Sequence, residues 1–474
     1  MNERTDKMKS AKKIKDVKLY EIIPSQDCMY LMHRFSLHKQ MAQIPTSFTL
    51  EADADLGLLQ QAMNLVIERN DCMRLAFVKD KGKLMQYFRP AYKYEVPVKY
   101  FRDDAEKEAF CAADAKKPVK FEKGELFRVC FYKIADGRTG IYANFTHMII
   151  DALGIAFFYK ELLQLYSALK NGKELPAPSD SYEEYIAKEL ENLRDENKMK
   201  KHEEFYKEYF LKNGEPFYAA VHGMDFLNAY RKKKKNPEIR VPLAYNPLYS
   251  KCDFLQMHIP PEKAAKIFDY CRKNNIAPES VFQMGLHTHC SAVNERIGDV
   301  SMMSVCSKRA TLKEKNMCGC LAQPLQLRAV LGEDMSFDSA IRELVNIRRS
   351  LYRHAGFPYA KARTMSLDLF GFGPIQGPNS FMYSWIPLPI EGELGYAFEF
   401  KTYNLTRYFT PLYVITMPDP KDKGFNVCYM YRTKLSTKEQ IERLHENMVD
   451  TIIAGIDNPE ITVNELLSSI EAKG

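Results

Sequence analysis

The residues best suited to chemistry by type and spacing lie in the segment Asn144-Phe-Thr-His147-Met-Ile-Ile-Asp151. A neutral imidazole can take a proton from an amine or a hydroxyl, or orient that group for attack. An aspartate four residues later can hold a turn or pair with an arginine, and so fix the histidine without touching a substrate. Because a lone histidine on an apolar strand is more often a core residue, the pair alone leaves a structural and a catalytic interpretation open.

A strand and a helix are predicted to position this pair. Residues 140–147 alternate as a strand, which places the imidazole on the same face as three apolar side chains. Residues 127–132 form the preceding strand, and the polar turn 135–138 predicts a hairpin. From Ala152 the apolar positions recur at helical spacing until Asn171-Gly172. His147 is therefore expected at the end of a strand, and Asp151 at the bend into a helix.

The composition is that of a folded globular chain, with 46% hydrophobic and 27% charged residues among 474. At about 150 residues per domain, the length allows two or three domains. No stretch approaches the ~20 apolar residues of a membrane helix, and the lysine-rich residues 1–18 have no apolar core. We therefore expect neither a membrane span nor a signal peptide. The 11 cysteines are odd in number and scattered, which favours free thiols and a cytoplasmic location.

The proline-rich segment 175–180 is the predicted domain boundary. It gives a first lobe, 1–178, with the histidine–aspartate pair, and a second lobe, 179–474. The second lobe has helical periodicity at 260–274, 279–296, 337–353 and 437–456, and β-like sequence at 300–307 and 380–431. The sequence therefore predicts an α/β fold of the α+β sandwich type with two similar lobes, although no internal repeat shows them to be duplicates.

The charged and metal-binding side chains favour neither nucleic acid nor zinc. A net charge of +7 is a mild excess for this length. The basic runs 9–18 and 231–235 indicate either solvated loops or a docking patch for an anionic group, such as coenzyme A or a phosphopantetheine-bearing carrier protein. Cys318 and Cys320 have no second pair at finger-like spacing, and His287 and His289 diverge in a helical pattern. We predict no metal site and no nucleic-acid partner.

Further segments accompany the histidine and the aspartate along the chain. His147-Met-Ile-Ile-Asp151 resembles HHxxxDG, and Arg69-Asn-Asp-Cys-Met-Arg74-Leu-Ala-Phe77 resembles RHExLRTxF. Segments 25–30, 182–185, 319–328 and 354–360 are similar to SxAQxRMY, YxDYAxW, GxFVNTLxxR and HQDYPFE. From residue 20 to residue 466, the chain thus resembles the condensation domains of nonribosomal peptide synthetases and their relatives in the chloramphenicol-acetyltransferase-like superfamily of thioester-dependent acyltransferases.

The resemblance implies a V-shaped pair of acyltransferase-like lobes with His147 in a central tunnel. It implies transfer of an acyl group from a thioester, on carrier-protein phosphopantetheine or coenzyme A, to an amine or hydroxyl acceptor. The product is an amide or an ester, formed through a tetrahedral oxyanion, with His147 as general base or orienting residue. The thioester is a co-substrate, and no cofactor is permanently bound. An acyl or peptidyl carrier protein is the implied macromolecular partner, and a monomer is the family-like expectation.

The resemblance also implies a structural role for Asp151, paired with an arginine. Arg74 is the first candidate for that partner and Arg69 the second. Thr146 replaces the first histidine of the family motif, Ala152 replaces its glycine, and Gln323 replaces an asparagine. These three residues are candidates for contact with substrate, together with Ser384, because segment 384–387 resembles a tunnel-facing strand of the family.

Two alternative functions stay open beside the leading hypothesis of a condensation-like acyltransferase. The first is a coenzyme A-dependent alcohol or amine acetyltransferase. The second is a non-catalytic docking module for carrier proteins; such modules usually lose the HxxxD residues, whereas His147 and Asp151 are both present. The sequence does not distinguish the acyl chain, the acceptor, or the two types of donor.

Overall fold

Three β-sheets with packed helices make up the described part of the computed structural model, which comprises residues 17–36, 38–243, 250–387, 397–403 and 407–472. The predicted α/β class is confirmed. Residues 9–16 of the predicted basic run lie outside the described residues.

The first large sheet has five strands in the order β12-β2-β7-β6-β5. All neighbours are antiparallel except β5 and β6. Four strands come from the first half of the chain, but the edge strand β12 comes from the second half. The strands are β2 (Gln43–Leu50), β5 (Val98–Phe101), β6 (Phe127–Ile134), β7 (Thr139–Thr146) and β12 (Phe398–Thr402).

The second large sheet has six strands in the order β10-β9-β11-β13-β14-β8. Strand β11 is parallel to both of its neighbours, and the other pairs are antiparallel. The strands are β8 (Cys252–Ile259), β9 (Asp299–Cys306), β10 (Gln323–Val330), β11 (Phe381–Trp385), β13 (Leu412–Pro418) and β14 (Phe425–Arg432). A small antiparallel sheet combines β1 (Tyr20–Glu21), β4 (Lys83–Phe88) and β3 (Leu75–Asp80).

The helices follow the predicted periodicity closely. The predicted helix at 337–353 has the same bounds in the structure, and that at 279–296 is Pro278–Val293. The first half contains α1 (Pro24–Phe35), α2 (Leu56–Arg69), α3 (Asp104–Ala115), α4 (Ala152–Lys170), α5 (Tyr182–Arg194) and α6 (Glu196–Leu211). The second contains α7 (Asp225–Lys234), α8 (Pro261–Asn274), α9 (Pro278–Val293), α10 (Leu312–Lys315), α11 (Phe337–Arg353), α12 (Tyr359–Phe370), α13 (Lys438–Asp457) and α14 (Val463–Glu471).

Each large sheet has its own hydrophobic core. The first core joins the first sheet to α2, α4 and α5, and it also takes in Met317 and Leu321 from the second half of the chain. The second core lies between the six-stranded sheet and helices α8, α9, α11 and α13. Because chain from beyond residue 178 completes both the first sheet and its core, the division into 1–178 and 179–474 stays a prediction.

Within the described ranges, no helix is long and apolar enough to cross a membrane.

Candidate active site

His147 directly follows β7 and lies in a turn. Its backbone amide donates to the carbonyl of Ala42, at 2.8 Å. Phe145, two residues earlier, packs in the first core at a ring-centroid distance of 5.0 Å from Phe158, whereas His147 lines a cavity. Because the strand ends at Thr146, the strand alternation used in the prediction does not extend to His147.

The cavity lies between the two halves of the chain. It is bordered by α1 and β2 on one side and by one face of the six-stranded sheet on the other. It has a volume of about 1420 Å³, including space open to solvent. His147, Asp151 and Arg309 all line it, so both residues of the HxxxD pair border the space between the two halves of the chain.

Asp151 is held by four hydrogen bonds from three parts of the chain. As the N-cap of α4, its Oδ1 accepts from the amide of Gly154 at 2.9 Å. Its Oδ2 accepts from Arg309 Nη1 at 2.8 Å and from the amides of Leu321 and Ala322, both at 2.9 Å. Asp151, four residues after His147 in the chain, therefore links the start of α4 to the loop before β10.

Gly154 allows this loop to approach the first turn of α4. A Cβ at position 154 would lie 2.9 Å from the carbonyl oxygen of Gly319 and 2.6 Å from Cγ1 of Ile150. The backbone amide of Asp151 donates to the same Gly319 carbonyl at 3.1 Å. A glycine at position 154 is thus required by the close contact between α4 and the loop.

The electrostatics keep His147 neutral and Asp151 ionised. Burial lowers the pKa of His147 below its ordinary value of 6.5, although the Asp151 charge and neighbouring backbone groups oppose that shift. Burial raises the pKa of Asp151, but the Arg309 charge and the hydrogen bonds outweigh it and hold the pKa below 3.8. A neutral imidazole beside a buried ion pair can accept a proton at neutral pH.

The arginine predicted to pair with Asp151 is the wrong one. Arg74 donates to Asp71 Oδ1 at 2.6 Å and to the carbonyl of Arg89 at 3.0 Å. Arg69 donates to the carbonyl of Pro176 at 2.7 Å. Both side chains brace the segment around the end of α2 and the predicted linker. Arg74 therefore supports the surrounding fold and does not contact Asp151.

Arg309 was missed by the sequence reasoning. It follows β9 by three residues and is 158 positions from its carboxylate partner. Both side chains are nearly fully buried, with 2% and 3% of their surface exposed. The available signal was a basic residue just after the predicted strand 300–307, at a strand end where functional side chains often lie.

The four candidate substrate-facing residues are not all placed alike. Ala152, Gln323 and Ser384 line the cavity. Thr146 is not among the lining residues, and its Oγ1 accepts a long hydrogen bond of 3.4 Å from the amide of Met148. Contact between Thr146 and a substrate therefore stays a prediction.

The polar atoms of two of these residues have defined partners. Ser384 Oγ and the hydroxyl of Tyr413 share a hydrogen bond of 2.7 Å. Gln323 Nε2 donates to the carbonyls of Ala355 and Phe357, at 2.6 and 3.2 Å. Its Oε1 is buried without a partner.

Cys320 brings a thiol close to the imidazole. Its Sγ lies 3.9 Å from His147 Nδ1. Burial raises the pKa of the Cys320 thiol well above its ordinary value of 9.0. The thiol is therefore protonated at neutral pH, and a thiolate–imidazolium nucleophile is disfavoured.

We expect iodoacetamide at neutral pH to leave Cys320 unmodified in the folded protein, because the reactive thiolate is absent and the thiol is fully buried. Intact-mass analysis and peptide mapping check this. Protein in denaturant is the control and should take up reagent on all 11 cysteines. Rapid alkylation of Cys320 in the folded protein would contradict the expectation.

A candidate cation cluster lies outside the cavity. Within the described residues, the ligand atoms of His258, Asp419 and Asp422 lie within 4.8 Å of one another. His258 and Asp422 are exposed, and none of the three lines the cavity. The contact joins β8 to the turn between β13 and β14, and His258 Nε2 is 2.8 Å from Asp422 Oδ2.

The fold and the site together define a family. The family model of the condensation domain matches residues 17–368, and the chain therefore belongs to the condensation-domain family, whose fold is that of the chloramphenicol-acetyltransferase-like superfamily. Condensation domains of this family catalyse amide-bond formation by acyl transfer. The predicted family resemblance is confirmed.

Two relatives in this family share less than a quarter of their aligned residues with the chain. The chain is 23% identical to surfactin synthase subunit 1 of Bacillus subtilis (strain 168), over 95% of this chain and 12% of that protein. It is 19% identical to bacitracin synthase 1 of Bacillus licheniformis, over 96% of this chain and 8% of that protein. The chain thus spans only a small part of the length of these curated relatives.

Solved condensation domains share the fold. The first condensation domain of the calcium-dependent antibiotic synthetase matches with a TM-score of 0.75 at 17% identity, over 94% of this chain and 99% of that one. The starter condensation domain of rhizomide synthetase, in complex with C8-CoA, matches with a TM-score of 0.76 at 15% identity, over 94% and 97% of the two chains. These matches confirm the predicted condensation-domain fold.

Proposed function

We propose that the chain transfers an acyl group from a thioester to an amine or a hydroxyl, with His147 as the general base. The observation that carries this proposal is a neutral imidazole on the wall of a cavity between the two halves of the chain, beside a buried Asp151–Arg309 pair. Membership of the condensation-domain family supports the same reaction class. Retention of both residues of the HxxxD pair argues against a docking module without activity.

The reaction needs one proton acceptor and one site of oxyanion stabilisation. His147 takes the proton of the acceptor as its nitrogen or oxygen attacks the thioester carbonyl, giving a tetrahedral oxyanion. The resulting imidazolium stabilises that oxyanion. When the intermediate collapses, the carbon–sulfur bond breaks and the leaving thiolate takes the proton. Acyl group, proton and electrons are thereby all accounted for without a further reactant.

Asp151 acts in this scheme as a positioning residue. Its two oxygens already accept hydrogen bonds from Gly154, Arg309, Leu321 and Ala322, and its low pKa keeps it ionised. A carboxylate engaged in this way is a poor proton carrier. Its contribution is to hold the turn that carries His147 against the loop before β10.

The donor carries a pantetheine thioester, attached either to a carrier protein or to coenzyme A. The complex of a structural neighbour with C8-CoA supports a coenzyme A thioester, and the nonribosomal synthetase relatives support a carrier protein. The basic end of α7, residues 231–234, offers a cationic surface for an acidic carrier partner. The unpartnered Oε1 of Gln323 is a candidate acceptor for an amide N–H of the pantetheine arm.

The test is intact-mass turnover with acyl-coenzyme A and acyl-carrier donors, combined with panels of amines and alcohols. The unmodified protein is compared with His147→Ala. Product that forms with the unmodified protein and is lost in the variant supports the proposal and identifies the donor class. Equal product in both proteins, or carrier binding without product, would contradict it in favour of a docking module.

The activity is expected to fall at acid pH with a midpoint below 6.5. His147 must be neutral to accept a proton, and burial lowers its pKa below that ordinary value, so its charge appears only at more acid pH. The pH dependence of kcat/KM reports this group in the free protein. A midpoint above 6.5 would show that the imidazole is stabilised as a cation and would contradict the assigned electrostatics.

A further inference from the structure

The six-stranded sheet uses its two faces differently. On β13, Leu412 and Val414 lie in the second core, whereas Ile415 and Met417 line the cavity. This alternation is that of a strand whose residues point to opposite faces. Helices cover one face, and the other borders the cavity directly. We call this second surface the floor, and its members are Phe254, Met382, Ile415, Met417, Cys428 and Met430.

Methionine is unusually frequent around the cavity. Three methionines belong to the floor, and three more lie opposite it on α1 and just before β2. Methionine side chains are unbranched and polarisable, so they adapt to flexible apolar ligands of variable shape. The six methionines are Met29, Met32, Met41, Met382, Met417 and Met430.

The cavity holds little charge for a ligand to meet. Among its described lining residues, the permanently charged side chains are Asp151 and Arg309, which neutralise each other at 2.8 Å. The hydroxyls of Ser384 and Tyr413 bond to each other. A buried ammonium or carboxylate on a ligand would lose its hydration without gaining a partner on the floor, which is costly.

We propose that the floor binds the acyl chain of the donor, and that this chain is an extended, uncharged hydrocarbon. The inference rests on the proposed acyl-transfer function. The floor is assigned to the donor and not to the acceptor for a chemical reason. The acceptor brings a protonated nucleophile that needs polar partners, whereas a hydrocarbon acyl chain needs none. The floor belongs to the same cavity as His147, so the bound chain is continuous with the reacting carbonyl.

The proposal predicts a dependence of affinity on chain length. Each methylene buried on the floor should lower the dissociation constant about fourfold, which corresponds to about 0.8 kcal/mol. The gain should continue with each added methylene until the chain reaches the end of the cavity. A charged group at the end of the chain should remove most of the gain, because the floor offers that group no partner.

Trp385 makes this dependence measurable without turnover. It is the single tryptophan of the chain and it lines the cavity. We would titrate the protein with free coenzyme A and with acetyl-, butanoyl-, octanoyl-, dodecanoyl- and glycyl-coenzyme A, and follow tryptophan emission. Octanoyl-coenzyme A should bind at least tenfold more tightly than the acetyl and glycyl thioesters, and should change the emission.

Two glutamate substitutions provide the matched comparison. Ile415→Glu places a charge on the floor and should abolish the gain between acetyl and octanoyl donors. Ile375→Glu places the same charge at an exposed isoleucine, 48% accessible, that does not line the cavity, and should leave the gain unchanged. Circular dichroism and thermal unfolding of both variants show whether Ile415→Glu is folded. If it is not, Ile415→Asn, with a smaller polar group, replaces it.

The outcomes separate this inference from the proposed function. Affinity that does not depend on chain length, or tighter binding of the glycyl donor, would overturn the inference even if product forms. Tighter binding of octylamine than of the octanoyl thioester would overturn the assignment of the floor to the donor. A chain-length gain that His147→Ala retains, with no product from the unmodified protein, would support the apolar site and contradict the proposed function.

Discussion

His147→Ala is expected to lower kcat by about 10²–10⁴-fold, with KM for the donor nearly unchanged. The imidazole acts on the proton that moves in the transition state, whereas the cavity that binds the substrates is formed by other side chains. Steady-state kinetics with the best donor and acceptor measure the two constants separately. Added imidazole should restore part of the lost rate if the missing group is the base.

His258→Ala is the matched control, since this histidine is exposed and does not line the cavity. Its activity should stay within twofold, about 0.4 kcal/mol, of that of the unmodified protein. Equal losses in the two variants would show that a general effect on folding is being measured. A large increase in KM in His147→Ala, with kcat retained, would assign His147 to substrate binding.

Arg309→Met is expected to lower the free energy of unfolding by about 3–5 kcal/mol. The substitution leaves the Asp151 carboxylate buried without its cation, while methionine fills a similar volume. Asp151→Asn in the same chain should recover part of the loss, because the neutral amide removes the unpaired buried charge and its single oxygen can still accept from the amides of Leu321 and Ala322. Chemical denaturation of the single and double variants measures the coupling.

Arg74→Met is the control for this series. Its partner Asp71 is only partly buried, with side-chain exposures of 17% and 15% for the pair, so water can solvate the carboxylate that is left. The loss should be about 1–2 kcal/mol, near that of an ordinary hydrogen bond to a charged group. A loss as large as that of Arg309→Met would contradict the conclusion that the pair at Asp151 is the one that stabilises the site.

The periodic spacing of apolar residues explains why the sequence predicted the helices well. The helix predicted at 337–353 has these bounds in the structure, and the Ser336 side chain caps its N-terminus. Helix α4 begins at Ala152, as predicted, because Asp151 caps it. In both elements the apolar spacing and the cap lie within one stretch of chain, where local rules apply.

The pairing at the site could not be derived in the same way. The histidine and the aspartate were identified because they lie four residues apart in one motif. Arg309 reaches Asp151 only through the tertiary fold, and it belongs to none of the quoted motifs, so the nearer motif arginine at position 74 was chosen instead. The surroundings of Thr146 likewise depend on where the strand ends, because β7 stops at Thr146 and His147 lies in the turn that follows.

For β12 too, the local sequence predicts the strand but not its pairing partner. Its residues Phe-Glu-Phe-Lys-Thr lie in the part of the second half predicted to be β-rich. Nothing in that alternation shows which sheet receives the strand. The register, in which Phe398 pairs with Leu50 and Thr402 with Thr46, is a property of the folded chain.

The position of β12 has a consequence for attempts to divide the protein. A fragment containing residues 1–178 would lack this strand, and the outer edge of β2 would expose a row of unpaired backbone amides and carbonyls. Such an edge is a template for aggregation. A peptide containing residues 398–402 would be the natural complement of that fragment, as a strand supplied in trans.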